Sequence, residues 1–211
     1  MKHFLCLLLL LASLSLPAQA QWIRGYGLKA GLTSSDVRSP NVFNNDAFNE
    51  NRHRRTGVAA FAFVEWLDAP LFSVVTEAGY TQRGFYFEHE VRDAQNNPAG
   101  TVKTFNRFDY LSTAALAKLR YDRGAVVPYL MGGPRLNVLV GGDPDDEGSL
   151  ADVFTPTAFG GTVGVGTEVD RLLPVSLFLE LRYSFDVTNS LPDAPRDIYN
   201  NGFDVLLGIR L

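Results

Sequence analysis

Beyond residue 21 the chain divides into eight stretches in which apolar and polar side chains alternate, and one of the two faces this creates holds almost no formal charge. A period of two marks a β-strand, whose successive side chains point to opposite sides of the sheet. The stretches run about Ile23–Thr33, Gly57–Leu67, Phe72–Phe87, Phe108–Tyr121, Val126–Val140, Phe159–Val169, Val175–Phe185 and Gly202–Leu211. Residues Leu111–Tyr121 also suit a helix by propensity, but their length and neighbours favour a strand. The connections alternate as well. Asp68–Leu71, Asp122–Ala125 and Asp170–Pro174 are tight and carry turn residues. About Ser34–Thr56, Glu88–Arg107, Gly141–Ala158 and Asp186–Asn201 are long and polar. Strict alternation of short and long links, with both termini on the short side, fits an antiparallel barrel with tight turns at one rim and long loops at the other.

Charge decides which face points inward. In the seventh stretch Leu177, Leu179, Leu181 and Tyr183 oppose Ser176, Glu180, Arg182 and Ser184. Across all eight, the polar face collects Lys29, Arg83, Lys118, Arg120, Arg135, Arg182 and Arg210 against Glu65, Glu77, Glu168, Glu180 and Asp204. A soluble, exported lipocalin-like ligand-binding barrel would bury the apolar face and hydrate these charges. A membrane barrel would do the reverse. Three features favour the membrane. A charge at the bilayer midplane costs ~2–4 kcal/mol, and the apolar face has none there. Tyr26, Trp66, Tyr80, Tyr121 and Tyr183 fall near strand ends on that face, as at membrane interfaces. The opposite face mixes small residues with balanced charges, which an eight-stranded interior can hold. The expected fold is therefore all-β: an eight-stranded antiparallel transmembrane β-barrel with short periplasmic turns and long extracellular loops. Its twelve inward charges are expected to compensate one another and plug the lumen, since open pores need about sixteen strands. Phe61 and Phe63 share the inner face, so part of the interior is expected to be apolar. Pro134, inside the fifth stretch, lacks a ladder N–H and is expected at a bulge around Gly132–Gly133.

Residues 1–20 read as a cleaved secretory signal peptide, which leaves 21–211 as the barrel domain. Lys2 and His3 precede the apolar run Phe4–Leu16, and Ala18-Gln19-Ala20 supplies a small-x-small cleavage site. That run is too short for a spanning helix, which needs ~20 residues. Cys6, the only cysteine, lies in the leader, so the mature chain is expected to have no disulfide, thiolate metal site or cysteine nucleophile. Without Lys2 the balance is 18 basic against 23 acidic residues, which argues against nucleic-acid binding.

The stretches Tyr110–Tyr121 (YLSTAALAKLRY), Val127–Val140 (VPYLMGGPRLNVLV), Phe159–Val169 (FGGTVGVGTEV) and Leu177–Ser184 (LFLELRYS) resemble the PorT-like outer-membrane β-barrel proteins of Gram-negative, Bacteroidetes-type bacteria. The likeness covers essentially the whole chain after the leader and rests on strand spacing and small residues. It implies a monomeric eight-stranded barrel in the cell outer membrane, inserted by the barrel assembly machinery. One namesake of the family is associated with protein secretion and gliding, so an accessory role in a secretion machinery is an alternative. Leu211 stands where barrels of this kind commonly end on an aromatic residue.

Few residues suggest chemistry. Asn51-Arg52-His53-Arg54-Arg55 precedes the second strand, and Arg52, Arg54 and Arg55 are candidate contacts for lipopolysaccharide phosphates because guanidinium forks match phosphate oxygens. The alternative is a solvated basic loop. Asp143-Pro144-Asp145-Asp146-Glu147 lacks the regular ligand spacing of a calcium loop and reads as a flexible acidic tip. After the leader the only histidines are His53 and His89, with no nucleophile motif placed beside them, so no catalytic, metal or cofactor site is expected. The expected role is non-enzymatic and structural or interactive. The surrounding lipid and lipopolysaccharide, and a protein bound through the long loops, are the expected partners.

Overall fold

The computed structural model describes residues 22–38, 52–67, 69–93, 95–121, 124–144, 155–169, 175–190 and 198–211. The expected leader and the acidic residues Asp145, Asp146 and Glu147 lie outside them. Eight strands form one closed antiparallel ring: β1 (Ile23–Arg38), β2 (Arg52–Trp66), β3 (Phe72–Arg92), β4 (Pro98–Arg120), β5 (Val126–Pro144), β6 (Thr157–Val169), β7 (Ser176–Asp186) and β8 (Tyr199–Arg210). Each pairs with its sequence neighbours, and β8 returns to β1 through Gly27–Arg210 to Arg38–Tyr199. No described helix is long and apolar enough to cross a membrane. The backbone is satisfied between strands instead, which a closed ring does without leaving an edge.

The alternation holds through the ring. Leu179 and Leu181 face outward, while Glu180 and Arg182, which alternate with them, are each 3% exposed. Trp22, Tyr26, Trp66, Phe72 and Tyr121 surround the short-turn rim. Tyr80, Phe159, Tyr183, Phe185 and Phe203 lie toward the other rim. Between these girdles the outward positions are aliphatic, among them Leu28, Leu32, Val163, Val205 and Leu207. Inside, four aromatics lie over glycines directly across the strand ladder: Phe63 over Gly27, Phe61 over Gly79, Tyr129 over Gly166 and Phe178 over Gly208. A Cβ on Gly166 would stand 2.3 Å from the Tyr129 ring, so the small residue makes the space that the large one fills.

Three expectations are corrected. Strands β3 and β4 run well beyond the alternating stretches: Glu88–Arg107 is no loop but the upper parts of β3 and β4, paired from Glu88–Lys103 to Arg92–Pro98. The turn between them is tied by Asp93, whose carboxylate accepts the amides of Gln95 and Asn97 at 2.9 and 2.8 Å. Asn96 there takes a positive φ of 65°, which asparagine tolerates. The bulge expected at Gly132–Gly133–Pro134 is absent. Pairing with β6 runs through in register there, and pairing with β4 lapses opposite Ala115–Leu116 without a slip. Pro134 thus omits a rung and leaves the residue count unchanged; the slip in β5 comes higher, opposite Asp109/Tyr110. Lastly, Arg52–Arg55 belongs to strand β2, not to a loop.

Candidate functional site

Because a narrow ring turns every second side chain inward, residues distant in sequence meet across the lumen. Their contacts fall into tiers. Nearest the short turns, Glu65 accepts hydrogen bonds from Ser73 Oγ (2.6 Å), Arg210 Nη1 (3.0 Å), Arg120 Nη1 (3.2 Å) and Lys118 Nζ (3.3 Å). Glu168 takes Lys118 Nζ at 2.9 Å and also pairs with Arg210. Arg120 adds a bond to the Ala69 carbonyl. The register slip between Ile23 and Gly25 lets Arg24 approach Glu65 to 3.7 Å. Above this tier sits an apolar layer of Phe63, Val75, Leu116, Tyr129, Met131 and Phe178.

The middle of the lumen holds a charge-neutral quartet. Arg182 grips Glu77 with both terminal nitrogens, Nη1 to Oε1 at 2.7 Å and Nη2 to Oε2 at 3.2 Å. Lys29 Nζ lies 2.5 Å from Glu77 and 3.3 Å from Glu180, and Arg182 is 2.5 Å from Glu180. Tyr129 Oη donates to Glu180 at 2.9 Å. Higher still, Arg135 Nη2 and Asn137 Nδ2 donate to Asp186 at 2.8 and 3.2 Å, and Arg83 stands 3.9 Å from Asp204. Val37, Phe85, Phe108 and Tyr110 form a buried apolar cluster over this tier.

All twelve charged residues assigned to the inner face are buried there. Two members were missed. Asp186 opens a stretch expected as a loop, although its alternation with Ser184 and Arg182 continues the inward series. Arg24 enters through a slip that no sequence pattern marks.

The basic segment is divided by a register slip in β2 between Arg54 and Ala59. Arg52 Nε pairs with Asp36 Oδ1 at 2.9 Å. Arg54 turns to the outer wall, donating to Ser34 O at 3.1 Å and to Ser34 Oγ at 3.3 Å, with its guanidinium 5.1 Å from the Phe203 ring centre. Arg55 goes the other way and packs by Gly84, where an added Cβ would lie 3.2 Å from its Cδ. His53 stacks on Tyr86 at 5.1 Å, with Nε2 3.7 Å from Glu88. Glu88 also holds Lys103 Nζ at 2.7 Å, and that hydrogen bond keeps the Glu88 carboxyl below the ordinary carboxylate range and raises Lys103. His89 lies beside Phe87, their ring centres 6.0 Å apart. Among the described residues no three His, Cys, Asp or Glu side chains gather as metal ligands.

An aliphatic exterior between aromatic girdles, around a core of paired charges, defines a β-barrel made for a lipid bilayer and overturns the soluble-cup alternative. Residues 19–191 match the family described as outer membrane protein beta-barrel domain; the chain belongs to that family and resides in the outer membrane. The fold is similar to that of Ail, the attachment invasion locus protein of Yersinia pestis (13% identity, 89% of this chain and 98% of that one, TM-score 0.43). It is also similar to OprG from Pseudomonas aeruginosa (12%, 92% and 99%, TM-score 0.44) and to AlkL (14%, 93% and 95%, TM-score 0.41). No curated protein sequence matches the chain.

Proposed function

We propose that this protein is a non-enzymatic, non-conducting outer-membrane barrel that works as a monomer through its extracellular rim. The observation that carries the reading is the Lys29–Glu77–Arg182–Glu180 quartet, which closes the mid-lumen above an apolar layer. Buried ions that neutralise one another need no water file, and moving a solute through them would break several charge-assisted bonds together. Among the described residues, the upper parts of β3 and β4 offer the surface that reaches furthest outward. Lipopolysaccharide of the outer leaflet is its immediate neighbour and meets the basic segment through Arg54, beside the Arg52–Asp36 pair, rather than through Arg55. In biogenesis the barrel assembly machinery would close the β1–β8 seam. Planar-bilayer recording on the purified barrel tests the plug: brief, small events are expected, and a steady large conductance refutes it.

The resemblance of YLSTAALAKLRY and LFLELRYS to PorT-like proteins supports a second reading, an accessory part of a secretion machinery. Affinity isolation from cross-linked native membranes separates the two. Recovery of secretion components in fixed stoichiometry favours the accessory role, and recovery of the barrel alone favours the first.

A further inference from the structure

A cleft of about 510 Å³ opens on the outer wall where β7, β8 and the top of β1 meet. Its walls include Tyr183, Phe185, Val187 and Tyr199, and Arg38 stands at its rim. The aromatic floor continues sideways: Tyr183 lies 6.1 Å from Phe185 and 4.9 Å from Phe203, and over Phe203 sits the Arg54 guanidinium. Ser34, Asp36 and Arg38 follow at two-residue steps along the outer face of β1. Arg54 is bonded at the first and Arg52 at the second, so three guanidiniums climb this wall. The nearby carboxylates are already engaged, Asp36 by Arg52 and Asp186 by Arg135 on the inner side. The Arg38 side chain has no hydrogen bond or ion pair to another described residue, and Arg54 spends its bonds on one serine.

We propose that this cleft seats the phosphorylated sugar head of an outer-leaflet glycolipid, with Arg38 and Arg54 holding its phosphate and the Tyr183–Phe185–Phe203 floor carrying the sugar. This rests on the lipopolysaccharide contact proposed above and narrows it to a place. Height supports it. The floor belongs to the upper aromatic girdle, where hydrocarbon gives way to headgroups, and the aliphatic wall continues below it for the acyl chains. Chemistry supports it too. Arginine is the side chain that binds phosphate through paired N–H donors, and flat rings suit the C–H faces of a pyranose. Size separates the occupant from a free phosphate, which would leave most of the cleft unfilled and the aromatic floor unused.

The test uses the full-length barrel, purified in a mild detergent, with binding of purified lipopolysaccharide read by native mass spectrometry. The comparison arms are the same lipopolysaccharide after phosphatase treatment, phosphatidylglycerol, and inorganic phosphate. We expect about a tenfold loss of affinity for the dephosphorylated form and for R38Q/R54Q. We expect no loss for K103Q on the far hairpin, and no competition from phosphatidylglycerol or inorganic phosphate. Equal binding by R38Q/R54Q, indifference to dephosphorylation, or full competition by either of those two ligands overturns the proposal. Heat-modifiable electrophoretic mobility reports folding separately. A folded, membrane-inserted double variant that binds normally sinks the site and leaves the barrel standing, and should the variant not fold, the dephosphorylated arm decides.

Discussion

Replacing Glu77 by glutamine removes one charge from the quartet while keeping shape and hydrogen-bonding atoms. Glu77 now receives both nitrogens of Arg182 and the ammonium of Lys29, all with side chains no more than 4% exposed. Glu180 would be left alone against two buried cations. Removing one partner of a buried ion pair costs about 3–5 kcal/mol, because the remaining charge is neither paired nor hydrated. Glu77→Gln should therefore lower unfolding stability by about that amount. The compensated variant Lys29→Met/Glu77→Gln, which restores neutrality with an apolar chain of similar length, should regain most of the loss, leaving about 1 kcal/mol. The assay is urea unfolding of the barrel in lipid vesicles, followed by tryptophan fluorescence and by the gel shift between folded and heated forms, with midpoint and slope compared. If Glu77→Gln costs less than about 1 kcal/mol and the second substitution recovers nothing, the ions are individually hydrated. The lumen is then a wet channel, and the plug argument is wrong.

Three further outcomes are expected. Leu181→Arg, on the outer wall opposite Val165 and Val205, should cost about 2–4 kcal/mol in bilayers by placing a charge near the midplane; a neutral result would mean this wall does not face lipid. Gly166→Ala should destabilise by about 1–3 kcal/mol, since its methyl would collide with the Tyr129 ring, whereas Gly124→Ala, with no atom within 4 Å, should be silent in the same unfolding assay. On the outer hairpin the Glu88 carboxyl is depressed by Lys103, so their tie is complete at neutral pH and is lost as pH falls through the lowered Glu88 value. A carboxyl-carbon NMR titration should show this, and Lys103→Met should return Glu88 toward its usual range; an unmoved Glu88 titration would contradict the pairing.

Much of the architecture is written in the alternation of side chains. Leu179–Glu180–Leu181–Arg182 states both the strand and its facing, because hydrocarbon excludes charge from one side and a narrow lumen demands neutrality on the other. The upper halves of β3 and β4 escaped that reading. Above the headgroups both faces of a strand are wet, so Glu88–Arg92 and Thr101–Asn106 carry no apolar stripe to mark them. The start of β2 at Arg52 is hidden for a different reason: a slip of one residue between Arg54 and Ala59 interrupts its pairing with β3, and nothing in Arg-Arg-Thr-Gly announces the slip. Nor could the partners within the lumen be known. Glu77 meets Arg182 across 105 residues of sequence, and only ring closure decides which carboxylate faces which cation.

The wall of this cylinder is uneven in height. Strands β3 and β4 span 21 and 23 residues against 11 and 12 for β7 and β8. At about 3.3 Å per residue, the surplus amounts to a two-stranded blade roughly 30 Å long, measured along its own tilted axis. The molecule therefore has a compass bearing. Among the described residues this blade stands furthest from the short-turn rim, while the opposite side, with its Arg38 cleft, ends near the height of the upper aromatic girdle.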